Sequence, residues 1–69
     1  MQSYSFYHCT YDAGFVFIET QDMAMVEAMR HAVELAFKQG QQGGSLRGLF
    51  ICVRDPKGQE VFRTPLAKY

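Results

Sequence analysis

Residues 22–39 read DMAMVEAMRHAVELAFKQ. This stretch decides the fold, because it is the one place where the pattern changes period. It contains no Pro or Gly and is dominated by Ala, Met, Glu and Leu, which predicts a helix over Asp22–Gln39. Thr20 or Asp22 can cap its start, and Gly40 can close it in the left-handed conformation. At about 100° per residue, Met25, Val26, Met29, Val33, Ala36 and Phe37 share one face, the expected core face. Glu27, Arg30, Glu34, Lys38 and Gln41 fall on the solvent side, where Glu34 and Lys38 stand in the favourable i,i+4 order. A third strip, Ala24, Ala28, His31 and Leu35, is expected roughly opposite the core.

Outward from the helix, both flanks read as hairpins. On the N-terminal side, Ser3–Tyr11 alternates with period two. Tyr4, Phe6, His8 and Thr10 fall on one face and Ser3, Ser5, Tyr7, Cys9 and Tyr11 on the other. Asp12-Ala13-Gly14 supplies a turn, and Phe15–Glu19 the return strand. On the C-terminal side, residues 40–45 (GQQGGS) form a flexible connection. Leu49–Arg54 is a strand with Leu49, Ile51 and Val53 on one face and Phe50, Cys52 and Arg54 on the other. Asp55-Pro56-Lys57-Gly58 is a strong turn signal, and Glu60–Thr64 returns until Pro65 stops it. The expectation is an α+β fold in the order ββαββ, a four-stranded sheet of two hairpins with one helix on one face, in a single domain over residues 1–69. No internal repeat stands out.

Sixty-nine residues bury only about 60% of their unfolded surface. Chains this small commonly add disulfides, a metal or a partner chain. Hydrophobic residues are 48% of the chain, and seven Lys and Arg balance seven Asp and Glu, so the formal net charge is zero. That composition points to a folded globular chain rather than a disordered one and argues against a general polyanion binder. The first residues, MQSYSFYHCT, carry neither a basic nor an apolar leader region, and no run approaches the ~18 apolar residues of a membrane span. Cytoplasmic location, with Cys9 and Cys52 as reduced thiols, is the expectation.

One helix covers one sheet face. The other face is too apolar to be left to water, since Tyr4/Phe6 and Tyr7/Tyr11 in the first strand, Phe15/Phe17 and Val16/Ile18 in the second, and Leu49/Ile51/Val53 and Phe50/Cys52 in the third put apolar side chains on both faces. Homodimerisation, sheet to sheet or edge to edge, is the reading that follows. Tyr4, Phe6 and His8 in the opening strand, the spacing of Ala28, Ala32 and Ala36, the closing pattern Val53, Asp55, Gly58, Val61, and the late Pro65-Leu66 together resemble a family of short bacterial proteins, frequent in rhizobia. That resemblance implies the strand–strand–helix–strand–strand order and brings no activity with it. Phe17-Ile18-Glu19-Thr20 departs from the acidic, glycine-containing segment usual there. The same strand order also occurs in some phage-encoded inhibitors of bacterial defence, an analogy of fold only.

Catalytic chemistry finds little footing. His8, Cys9, His31 and Cys52 lack the close-spaced pairs of a zinc site, and adjacent His8 and Cys9 point to opposite faces of a strand. A nucleophilic thiol needs a neighbouring base, and His31 is expected on the outer helix face. Free cysteines are more often packed small hydrophobes. There is no phosphate-binding glycine loop and no serine elbow. Asp12 and Asp55 are explained by turns. The sequence thus points to no enzyme, no cofactor and no metal.

Charge is unevenly distributed. Residues 1–40 hold two cations against five carboxylates, net −3, and residues 41–69 hold five against two, net +3. The basic half keeps a small nucleic-acid-associated regulator as an alternative, its aromatics stacking on bases. The main expectation is a non-enzymatic interaction protein, an inhibitor or regulator docking to itself or to a host protein. Phe6, Tyr7, Phe50 and Phe62 are its core or interface anchors. Arg47, Arg54 and Arg63 provide forked recognition of carboxylates or phosphates.

Overall fold

Period-two alternation and the turn residues produce two hairpins, and a computed structural model describes them over residues 2–10, 14–41 and 48–66. Strand β1 (Gln2–Thr10) pairs with β2 (Gly14–Met23), helix α1 (Met25–Gln41) follows, and β3 (Gly48–Arg54) pairs with β4 (Glu60–Pro65). The fold is α+β in the order ββαββ. All pairings are antiparallel and the sheet order is β2-β1-β3-β4, so the two hairpins join along β1 and β3. The helix lies mainly over β3 and β4 and reaches β1.

The second hairpin forms where its turn chemistry directs. The Asp55 carboxylate accepts from the backbone N–H of Lys57 and of Gln59, both at 2.9 Å. Gly58 takes φ of 85°, and its N–H donates to the Asp55 carbonyl at 2.9 Å. In the first hairpin, Gly14 takes φ of 69°, while Tyr11, Asp12 and Ala13 lie outside the described residues.

β2 is longer than expected. Thr20 and Asp22 are strand residues, not helix caps. The Thr20 hydroxyl meets that of Ser5 at 3.1 Å, and the Ser3 hydroxyl donates to the Asp22 carboxylate. Cross-strand partners outcompete the capping role these side chains have in isolation. The helix starts instead after Ala24, whose N–H donates to the Glu27 carboxylate at 3.5 Å, the returning half of a capping box. It continues through Gly40 to Gln41. The rest of the expected connection lies outside the described residues.

The largest correction concerns the face of α1. Ala28, Ala32, Leu35 and Ala36 are buried against the sheet, whereas Met25, Val26, Met29, Val33 and Phe37 are exposed. The sheet already brings the bulk: Phe6, Ile51 and Val53 are fully buried beneath the helix, with Tyr4 and Met23 beside them. Alanines opposite those large side chains let the helix settle close, in the interlocking of large with small that fills a core at native density. His31 rotates inward with the seam. Its ring meets Phe6 edge-on, centroids 4.9 Å apart, and it bonds the Glu19 carboxylate. That bond is the main reason the Glu19 carboxyl is held below its usual range.

Three irregularities shape the sheet. Ile18 and Val61 are each skipped in the pairing of their hairpin, and both pack against the core. A third shift falls between Cys9 and Thr10 where β1 meets β3. Bulges on β2 and β4, with Pro65 on β4, blunt both edges of the sheet.

His8 lies on the helix side of β1, paired with Val16 and Ile51. Its Nε2 is buried without a hydrogen-bond partner, and burial lowers its pKa below the ordinary 6.5. The unfolded chain takes up a proton near 6.5 while the native state resists it, so acid favours unfolding. Urea stability is expected to be complete above that pH and to fall as pH drops through it toward the lowered value. H8F should flatten this slope while leaving the carboxylate-driven loss at lower pH, where Glu19 acts with the same sign.

Candidate interaction face

On the sheet face away from α1, period two and the hairpin registers gather side chains from all four strands. Tyr7 of β1 pairs across with Phe17 of β2 and with Cys52 of β3. Cys9 pairs with Phe15 and Phe50, and Cys52 with Arg63 of β4. The rings touch edge to face, Tyr7 to Phe17 at 5.6 Å, Tyr7 to Phe15 at 6.5 Å and Phe15 to Phe50 at 6.2 Å between centroids. Such contacts stabilise by about 0.5–1.5 kcal/mol each beyond burial.

Two guanidinium groups sit over these rings. Arg54 lies 4.9 Å from the centroids of both Tyr7 and Phe15, and Arg63 lies 4.0 Å from that of Phe50. Arg63 also forks onto Glu60, Nε to Oε2 at 2.7 Å and Nη2 to Oε1 at 2.9 Å. The Arg63 fork holds the Glu60 carboxyl below the usual carboxylate range. Beneath them Cys52 is fully buried, and burial, then the Glu60 carboxylate, pushes its thiol up. A raised, buried thiol is a poor nucleophile.

The expected anchors therefore divide between two faces. Tyr7, Phe50, Arg54 and Arg63 come together on the open face. Phe6 is fully buried under the helix and Phe62 packs against the same core, so these two anchor the core, not a surface. Arg47 lies outside the described residues. Phe15 and Phe17, 45% and 57% exposed, were not singled out, although their i,i+2 spacing and the register with Tyr7 carry the signal. His31, expected on the outer helix face, packs inward, yet the sheet still separates it from both thiols. Among the described residues, no three His, Cys, Asp or Glu side chains group closely enough to hold a metal, and no helix is long and apolar enough to cross a membrane. No family model, curated protein or solved structure matches the chain.

Proposed function

We propose that the chain is a non-enzymatic interaction module whose open sheet face docks a partner protein and thereby inhibits or regulates it. The observation that carries this is the exposed pair Phe15 and Phe17, continuous with Tyr7 and Phe50 and flanked by Arg54 and Arg63. Aromatic and arginine side chains are the residues that dominate protein interfaces. The blunted edges favour docking by the face over strand addition.

Charge decides between a protein and a nucleic acid as the occupant. Glu60 is close enough to both arginines to feel their charge, and it offsets one of the two. Every nucleotide of a single strand carries a phosphate, and one surplus cation across this face is a poor match for it. A partner surface of apolar side chains with a few carboxylates matches better. The two free thiols, Cys9 and Cys52, suit the reducing cytoplasm, where we place this activity.

A photo-crosslinking residue at position 17, compared with one at position 57 in the far turn, tests the reading in cells. The expected result is a discrete protein adduct from position 17 alone, lost in R54E. A nucleic-acid adduct with steep salt dependence would instead make the face a base-stacking platform, and no adduct from position 17 would refute docking there.

A further inference from the structure

The two arginines of the open face differ in what they hold. Arg63 is committed. Its Nε and Nη2 donate to both oxygens of the Glu60 carboxylate, at 2.7 and 2.9 Å, and its guanidinium lies 4.0 Å from the Phe50 centroid. Arg54 forms no ion pair among the described residues, and its Nε is buried without a hydrogen-bond partner. Rings hold it instead. Its guanidinium carbon stands 4.9 Å from the centroids of both Tyr7 and Phe15. Those centroids are 6.5 Å apart, so the rings meet the cation from directions roughly a right angle apart. Arg54 as a whole is half-buried, so the guanidinium is cupped and not enclosed.

The pairing of β3 with β4 explains why Arg54 is left over. Glu60 stands directly opposite Arg54 in that register. On a regular strand, residues three apart face opposite ways, but the bulge at Val61 puts Glu60 and Arg63 on one face. Arg63 thereby draws off the carboxylate placed to neutralise Arg54. The Glu60 carboxyl is held low chiefly by this fork, with the charge of Arg54 a smaller contribution. Contacts to ring faces spend none of the N–H donors of Arg54. A planar donor fork fixed on rings, with no carboxylate of its own, is suited to take one from outside. The aromatic walls favour an anion with an apolar neighbour, and Glu60 nearby disfavours a doubly charged phosphate.

We infer that Arg54 is the receptor for a carboxylate of the partner, an Asp or Glu side chain set beside an apolar one. Arg63 keeps this receptor open by holding Glu60 away from it. Only the source of the carboxylate rests on the docking reading; the receptor itself does not.

Phenylacetate, a carboxylate beside a ring, is the probe. Uncharged phenylacetamide and inorganic phosphate are the controls, at matched ionic strength. In a titration followed by the arginine Nε–Hε resonances, phenylacetate is expected to shift Arg54 saturably in the millimolar range and to leave Arg63 in place. Phenylacetamide should have no effect. R54Q should keep the native circular dichroism and lose the binding. R63A should weaken it by about two- to fivefold, because Glu60 then turns to Arg54 and competes as a partly exposed ion pair. The E60Q/R63A double variant should restore binding, which a merely structural role for Arg63 would not. An equal response to phenylacetamide, phenylacetate binding retained in R54Q, or phosphate bound in preference would overturn the carboxylate receptor. R63A binding as the wild type does, or a double variant that stays weak, would overturn the role of Arg63. In cells, an adduct from position 17 undiminished in R54Q would overturn recognition of the partner through Arg54 and leave docking standing. No adduct from position 17, with phenylacetate still bound at Arg54, would refute docking and leave the receptor.

Discussion

Phe6→Ala is expected to lower the unfolding free energy by about 3–5 kcal/mol, the usual cost of emptying a buried aromatic site. Phe6 is 0% exposed, lies on the central pair of strands opposite Val53, and holds the His31 ring edge-on at 4.9 Å. The cavity left would be roofed by α1 and floored by the sheet, and neither can collapse without breaking the seam or the ladder. At about 0.05–0.15 kcal/mol per residue, a chain of 69 residues has roughly 3–10 kcal/mol in total. The loss is therefore comparable with the whole stability, and F6A should be substantially unfolded at 25 °C. Phe17→Ala is the control. Its ring is 57% exposed on the open face, and the expected cost is under about 1 kcal/mol. Urea titration followed by circular dichroism checks both, and equal costs would mean that Phe6 is not the core anchor the packing makes it.

The contrast between Phe6 and Phe17 also shows which parts of this fold were legible in the sequence. Local chemistry was. Asp55-Pro56-Lys57-Gly58 forms its turn with bonds among its own residues and the adjoining Gln59, and the two faces of β1 follow from alternation alone. The faces of Tyr7 in β1 and of Phe50 and Arg54 in β3 were legible strand by strand for the same reason, but that these and Arg63 share one sheet face, apart from Phe6 and Phe62, depends on the pairing between strands. Registers between strands were not legible. The bulge at Ile18 lets Phe17, not Ile18, stand opposite Tyr7, and it completes the cluster with side chains no single strand announces. Phe62 lies beside Val53 and so falls to the core side, away from Arg63 next to it. Thr20 and Asp22 carry a cap signal, but Ser5 and Ser3 across the hairpin claim their side chains first. The zero net charge proved a poor guide to the open face, where the balance is set by Glu60 between two arginines.

The helix face was misread for a physical reason, and one pair of substitutions makes that reason measurable. Periodicity locates apolar side chains but weights them by size, so Met25, Val26, Met29, Val33 and Phe37 outweigh Ala28, Ala32 and Ala36. What a helix buries is decided by its partner. A sheet that already presents Phe6, Ile51 and Val53 leaves room for alanine and little else. Ala32, 0% exposed, sits mid-seam, and Val33, its neighbour in sequence, is 50% exposed on the outer ridge. Ala32→Glu would place a carboxylate in that seam, where burying an unpaired charge costs several kcal/mol, enough to unfold a chain of this size. Ala32→Leu, which adds volume without charge, is expected to cost about 1–3 kcal/mol. Val33→Glu should leave the thermal transition of the monomer within a few degrees of wild type. Thermal melts at low micromolar concentration read all three. A core centred on the large apolar residues requires the opposite order, with V33E unfolded and A32E tolerated. The same bulk that fills the sheet side of the core thus turns the larger apolar residues of α1 outward.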